Sequence, residues 1–193
     1  MHLLLKKLQG NDRRSIGNVP QVVSQVLRDT SLFPVLVNGM FFGEPTLRMR
    51  ASDAVEKITG EYPELLKSHK SRLLQELPGI TQQEVRWHMA QIVPRLGLTP
   101  AQRRKTLEAL QMFLTDRSSI VKTFTMQALA DLAEQDVRLR NSIIKQLEHL
   151  ARTGTPAMRS RGKKLIAKLM GPSARAQSRR RIRSGAATHR AGI

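Results

Sequence analysis

Apolar residues recur along this chain at i, i+4, i+7, i+8 and i+11, and the same spacing returns four times. The copies are Leu47/Ala51/Ala54/Val55/Ile58, Val85/Met89/Ile92/Val93/Leu96, Val121/Thr125/Ala128/Leu129/Leu132 and Met158/Gly162/Leu165/Ile166/Leu169, with Thr125 as the polar lapse. At about 100° per residue each set falls within a stripe about 100° wide, the buried face of one amphipathic helix. One such stripe implies nothing at long range. Four of them, with leading positions 38, 36 and 37 residues apart, mark a repeat. A fifth, weaker copy runs Val19, Val23, Val26, Leu27, Thr30.

Second helical segments lie between the stripes, over Tyr62 to Leu77, Ala101 to Leu114 and Val137 to Ala151. In the last of these Leu139, Ile143, Ile144, Leu147 and Leu150 keep helical spacing. Pro63 sits near a first turn, and Thr99-Pro100 and Thr155-Pro156 each pair a capping residue with a proline at the first helical position. Asp116-Arg117-Ser118-Ser119 and Pro78-Gly79-Ile80-Thr81 read as turns that end in capping residues. Pro94 falls deep inside the helix predicted from Gln82 to Leu96 and should kink it near Ala90 and Gln91.

A helix pair of this kind cannot bury its own face, whereas stacked pairs share one continuous core. The pattern therefore predicts an all-α chain, an α-α superhelix of about four to five helix pairs over residues 18–170. An N-terminal helix and lead-in over 1–17 precede it. A disordered, Arg-rich tail over 171–193 follows, because that stretch carries no stripe and reads Arg/Ser/Ala/Gly.

Each stripe also opens on an apolar residue followed by a base. The copies read Leu47-Arg48-Met49-Arg50-Ala51, Val85-Arg86-Trp87-His88-Met89, Val121-Lys122-Thr123-Phe124-Thr125 and Met158-Arg159-Ser160-Arg161-Gly162. This resembles the Val-Arg-x-x-Ala start of the second helix of a HEAT repeat. Over about residues 18–170 the chain is similar to HEAT-repeat (ARM-type) α-solenoids, of the kind found in bacterial HEAT-repeat domain-containing proteins of unassigned function. The resemblance implies that the second helix of each pair lines a concave, partner-binding surface. HEAT repeats often carry an Asp six residues before the base, forming a ladder between repeats. Here Asp116, before Lys122, fits that pattern, and the equivalents are Phe42, Ile80 and Thr153.

Composition changes the picture in two ways. Aromatic residues make up 4% of the chain against 40% hydrophobic, so the helical core is aliphatic. Lys and Arg number 33 against 15 acids, a net charge of +18. Six Arg and no acid lie beyond Met170, so a large excess belongs to the helical body as well. Such a surface attracts polyanions, and less so in salt. With no cysteine, disulfides, thiol chemistry and Cys-ligated zinc are excluded. Three leucines at Leu3-Leu4-Leu5 are too few for a signal-peptide core, and no run approaches the 18 apolar residues of a membrane span. A cytoplasmic protein is expected. Its oligomeric state is open, since terminal repeats expose both ends.

Catalytic chemistry finds no footing. His2, His69, His88, His149 and His189 are scattered, and no His-Glu-x-x-His, paired-carboxylate or phosphate-loop pattern occurs. No cofactor or metal is expected. The leading expectation is a non-enzymatic scaffold gripping a protein or peptide on its concave face, centred on Met49, Arg50, Arg86, Trp87 and His88. Trp87 lies almost opposite its stripe's centre and so points away from the core. Its large amphipathic ring is suited to anchoring a partner side chain or stacking on a base.

The alternative is nucleic-acid (DNA or RNA) binding through basic side chains. Arg48, Arg86, Lys122 and Arg159 form a row on the stripe's flank, and either support neighbouring loops or track a polyanion. A second flank holds Arg50, His88, Phe124 and Arg161. Arg103-Arg104-Lys105 opens another helix. Arg161, Lys163, Lys164 and Lys168, continuing into Arg179, Arg180, Arg181 and Arg183, form a terminal basic cluster suited to electrostatic docking. A remote third reading is a DNA glycosylase resembling the HEAT-like alkylpurine enzymes, with Asp53, one repeat from Trp87, as its carboxylate.

Overall fold

Helix starts in this chain are written in Thr and Pro, and the computed structural model follows them closely. It describes residues 1–12 and 14–187, with side chains as far as Gly171. Thr99 accepts a hydrogen bond from the Gln102 amide at 3.3 Å, and Gln102 Oε1 accepts one from the Thr99 amide at 3.0 Å, a complete capping box. Thr155 Oγ1 likewise faces the Met158 amide at 3.4 Å.

All regular structure among the described residues is helical. The α-helices are α1 (Leu3–Lys6), α2 (Val19–Arg28), α3 (Phe33–Gly39), α4 (Pro45–Glu61), α5 (Lys70–Glu76), α6 (Gln83–Ile92), α7 (Pro100–Leu114), α8 (Ser119–Gln135), α9 (Arg140–Thr153) and α10 (Pro156–Ala187). Short 3-10 segments lead into α3, α5 and α9 and follow α5 and α6. None of the described helices is long and apolar enough to cross a membrane. The chain divides into two compact units, Met1–Leu129 and Ala130–Ile193.

In the first unit α4 is the hub, packed by α2, α3 and α6. Its stripe Leu47, Ala51, Ala54, Val55 and Ile58 is buried, as are Val85, Met89, Ile92, Val93 and Leu96. Val121, Thr125, Ala128 and Leu129 are buried too. The polar lapse at Thr125 is resolved locally, because its hydroxyl donates to the Val121 carbonyl at 2.7 Å, and Thr59 does the same to Val55 at 2.8 Å. Burying either hydroxyl without such an acceptor would cost about 1–3 kcal/mol.

Three expectations change here. The weak fifth copy has a different register: α2 buries Val19, Val22 and Val26, while Leu27 and Thr30 are exposed. The helix stops at Arg28, so Thr30 already lies in the next 3-10 turn. The element beside α4 includes α3, whose Phe33, Leu36 and Val37 are buried and which no stripe marked. Pro94 does not kink a continuing helix. It stops α6 at Ile92, and the chain continues as 3-10 helix over Val93–Leu96 to Gly97 at φ 58. A proline there lacks the N–H that would bond Ala90, and its ring crowds that carbonyl.

The second helical segments fall where predicted, at α7, at α9 and, with a 3-10 lead of Pro63–His69, at α5.

In the second unit α9 packs on α10 across the turn at Gly154. Ile143 and Leu147 on α9 and Met158, Leu165 and Leu169 on α10 are buried, with Gly162 buried and Ile166 half-buried. Gly154 is needed for closeness: a Cβ there would lie 2.5 Å from the Leu150 carbonyl oxygen and 2.8 Å from Met158 Cβ. α10 is interrupted at Gly171, whose φ of 68 is non-helical. The expected tail over 171–193, with Arg179, Arg180, Arg181 and Arg183, lies outside the residues whose side chains are described.

Candidate functional site

The proposed concave centre sits on α4 and α6, and the first of its bases is not available to any partner. Arg50 is 5% exposed and its guanidinium is wrapped by the N-terminal loop. Nε donates to the Ser15 carbonyl at 3.0 Å, Nη1 to Leu8 at 3.2 Å and Gln9 at 2.7 Å, and Nη2 to Asp12 at 2.9 Å. Gly10 and Gly17, at φ 144 and 54, bring the loop backbone against that head. The expected binding residue is an internal latch.

Met49, also expected on an exposed face, is buried at 7%. The reason is tertiary. A helix covered by one neighbour buries one stripe, but α4 meets α2, α3 and α6, so burial reaches well beyond the apolar positions.

The basic row is largely structural at its start. Arg48 donates from Nε to Gln82 Oε1 at 2.8 Å and from Nη1 to the Gly43 carbonyl at 3.2 Å. Arg86 donates to the Ile80 carbonyl at 2.8 Å, pairs with Asp116 Oδ2 at 2.6 Å and lies over the Phe113 ring at 5.2 Å. Asp116 thus serves the base of the preceding stripe and also accepts from the Ser118 amide at 2.8 Å. Lys122 is half-buried and Arg159 is exposed. A cation ladder along this row therefore loses Arg48 and Arg86, whose donors already have internal acceptors.

Around His88 the two helices form a polar seam. His88 is 8% exposed, and its Nε2 lies 4.0 Å from Asp53 Oδ1, beyond hydrogen-bond reach. Asp53 is ion-paired with Lys57. Burial pushes His88 down to about 4, outweighing the nearby carboxylates of Asp53, Glu56 and Glu84 that pull it up, while Lys57 pushes the same way as burial. The ring is therefore neutral at pH 7. Asp53 Oδ2, His88 Nδ1 and Ser52 Oγ are buried without a hydrogen-bond partner. Trp87, expected to project freely, is half-buried and tilts against His88 with ring centroids 5.7 Å apart. Of the five residues expected at the concave centre, Met49, Arg50 and His88 are buried and Arg86 is engaged internally. Trp87 is half-buried like Arg86, but its side chain makes no hydrogen bond among the described residues.

The terminal cluster fares differently. Arg159, Lys163 and Lys164 are exposed on α10, and their side chains have no hydrogen bond or ion pair among the described residues. Lys145 and Arg152 on α9 are exposed in the same way. Arg161 is half-buried and engaged. Lys168 pairs with Glu134 at 2.6 Å and Asp131 at 3.6 Å, and the hydrogen bond to Glu134 leads in raising its pKa.

Four acids occur in this unit, and none follows Glu148. Asp131 and Glu134 face Lys168, and Asp136 pairs with Arg138 at 2.8 Å, which leaves Glu148 against five exposed bases. The absence of acids on α10 is legible in the sequence. The engagement of the other three by Lys168 and Arg138 is not.

A cleft of about 350 Å³ between α5 and α7, lined by Leu74, Leu77, Lys105, Thr106 and Ala109, was not foreshadowed by any motif. Lys105 and Arg104 are exposed, while Arg103 donates to the Leu98 carbonyl at 3.2 Å. No group of three or more His, Cys, Asp or Glu side chains able to hold a metal occurs among the described residues. Compared with known protein families and with curated proteins, the chain matches none.

Proposed function

We propose that this protein is a non-enzymatic helical-repeat module that binds the phosphate backbone of nucleic acid through its second unit. The observation that carries the reading is the set Arg159, Lys163 and Lys164: exposed, unpaired among the described residues, and on a helix that holds no acid. Cations already satisfied by carbonyls or carboxylates gain little from a phosphate. Cations held only by water release condensed counterions when they meet one. The near-constant spacing of the four stripes supports a HEAT-like superhelix as the frame that carries this surface. The reading with a protein or peptide on the concave face keeps Trp87 as its remaining anchor.

The test is fluorescence anisotropy with a labelled 20-base-pair duplex over 50 to 300 mM salt, conditions chosen on the order of the usual range for such complexes. The wild-type chain should bind with affinity that falls steeply with salt. Neutralising the set as Arg159→Gln, Lys163→Gln and Lys164→Gln should lower the slope of log K against log salt by about 2–3, given about 0.9 per phosphate contact. A wild-type chain that fails to bind at low salt refutes the function. A triple variant with an unchanged slope refutes the surface.

A further inference from the structure

We infer that the nucleic acid is double-stranded and that it is bound without regard to sequence. This rests on the reading above and follows from what the basic unit lacks. Residues 130–193 contain no Phe, Tyr or Trp. The one aromatic side chain described there is the exposed His149.

Single-strand binders combine a basic groove with aromatic platforms, and each stacked base contributes about 1–3 kcal/mol. With His149 as its one described aromatic side chain, the unit holds a single strand chiefly by its phosphates. On phosphates alone the duplex wins, because it carries one charge per about 1.7 Å of axis against about 3.4 Å for one strand. It also releases more counterion per contact, about 0.9 against about 0.7.

The layout of the cations argues the same way. Arg159 and Lys163 stand one turn apart, about 6 Å along α10, with Lys164 beside Lys163. Lys145 and Arg152 stand two turns apart on α9. The two helices pack on each other, with Ile143, Leu147, Met158, Leu165 and Leu169 buried. A fixed array of charges suits a partner that is itself stiff, as duplex DNA is over about 150 base pairs, whereas a coil must first be ordered against it. Among the described residues of α10, Ser160 is the exposed side-chain hydrogen-bonding group other than the cations, and with Arg159, Lys163 and Lys164 committed to phosphates the contacts position the duplex without reading its bases.

The experiment uses the full chain with a labelled 20-base-pair DNA duplex, a second duplex of scrambled sequence, and a 20-nucleotide oligo-dT, titrated in parallel at several salt concentrations of order 0.1 M. The duplex should bind about tenfold more tightly than the single strand, with the steeper salt slope, and scrambling should change its affinity less than about threefold. Trp87→Ala should leave the preference unchanged, because the stacking-competent ring of the first unit takes no part. Equal or tighter binding of oligo-dT overturns the inference while leaving the proposed function standing. So does a duplex preference that appears only in Trp87→Ala. Failure of all three probes to bind removes the proposed function itself.

Discussion

Replacing Arg50 by Met tests whether the N-terminal loop is held by one guanidinium. Met preserves much of the apolar stem and deletes the charged head. Four hydrogen bonds disappear, to the carbonyls of Leu8, Gln9, Asp12 and Ser15. Taken singly, hydrogen bonds to a charged group contribute about 1.5–3 kcal/mol, but the sum overstates the loss. Only the bond to Leu8 lies between fully buried atoms, whereas Gln9, Asp12 and Ser15 are exposed residues whose carbonyls regain water once the loop lifts. The guanidinium also carries a desolvation cost with no carboxylate beside it.

One buried bond at about 2 kcal/mol and three discounted ones give a loss of about 3 kcal/mol. With a urea slope of about 2 kcal/mol per molar, the midpoint should fall by about 1.5 M. Hydrogen exchange over residues 8–18 should accelerate. Arg50→Lys should recover only part of the loss, since one ammonium cannot reach carbonyls on opposite sides of a planar fork.

Gly10→Ala and Gly17→Ala probe the same latch from the loop, where a Cβ would stand 2.9 Å from Arg50 Nη1 and 2.8 Å from Cζ. Their penalties should shrink in the Arg50→Met background, leaving only the strain of positive φ. A midpoint within experimental error of wild type, with unchanged exchange of the loop, would falsify the latch.

Two further perturbations read other parts of the fold. His88 has a folded pKa of about 4 against 6.5 for the free side chain. The unfolded chain therefore takes up the proton first, and stability is intact above about pH 6.5 and is lost as pH falls toward 4. The loss amounts to about 3 kcal/mol at about 1.4 kcal/mol per unit. Urea midpoints at several pH values should fall less steeply over this window for His88→Gln than for wild type; parallel profiles would show that burial of the ring does not drive the shift. Gly154→Ala should destabilise the α9–α10 pair by about 1–3 kcal/mol through its clash with the Leu150 carbonyl and Met158. Calorimetry showing no loss would mean that the turn relaxes freely.

What the sequence determined by itself is the set of buried helix faces. Ala54, Met89, Leu129 and Leu165 are buried because a 3.6-residue period can satisfy the hydrophobic effect in only one way, and Thr99 and Thr155 start helices because their oxygens reach amides three residues on. These are local facts, and local spacing records them. α3 escaped because its seven residues are too few for a period to show.

Which bases are free was decided only by the tertiary structure. Arg50 and Arg159 follow the same kind of stripe, yet Arg50 meets carbonyls 35 to 42 residues away and Arg159 meets none among the described residues. Helical spacing gives the direction a side chain leaves its own helix. It does not give what stands opposite, and a guanidinium is a site or a strut according to whether an acceptor from elsewhere in the chain has reached it first.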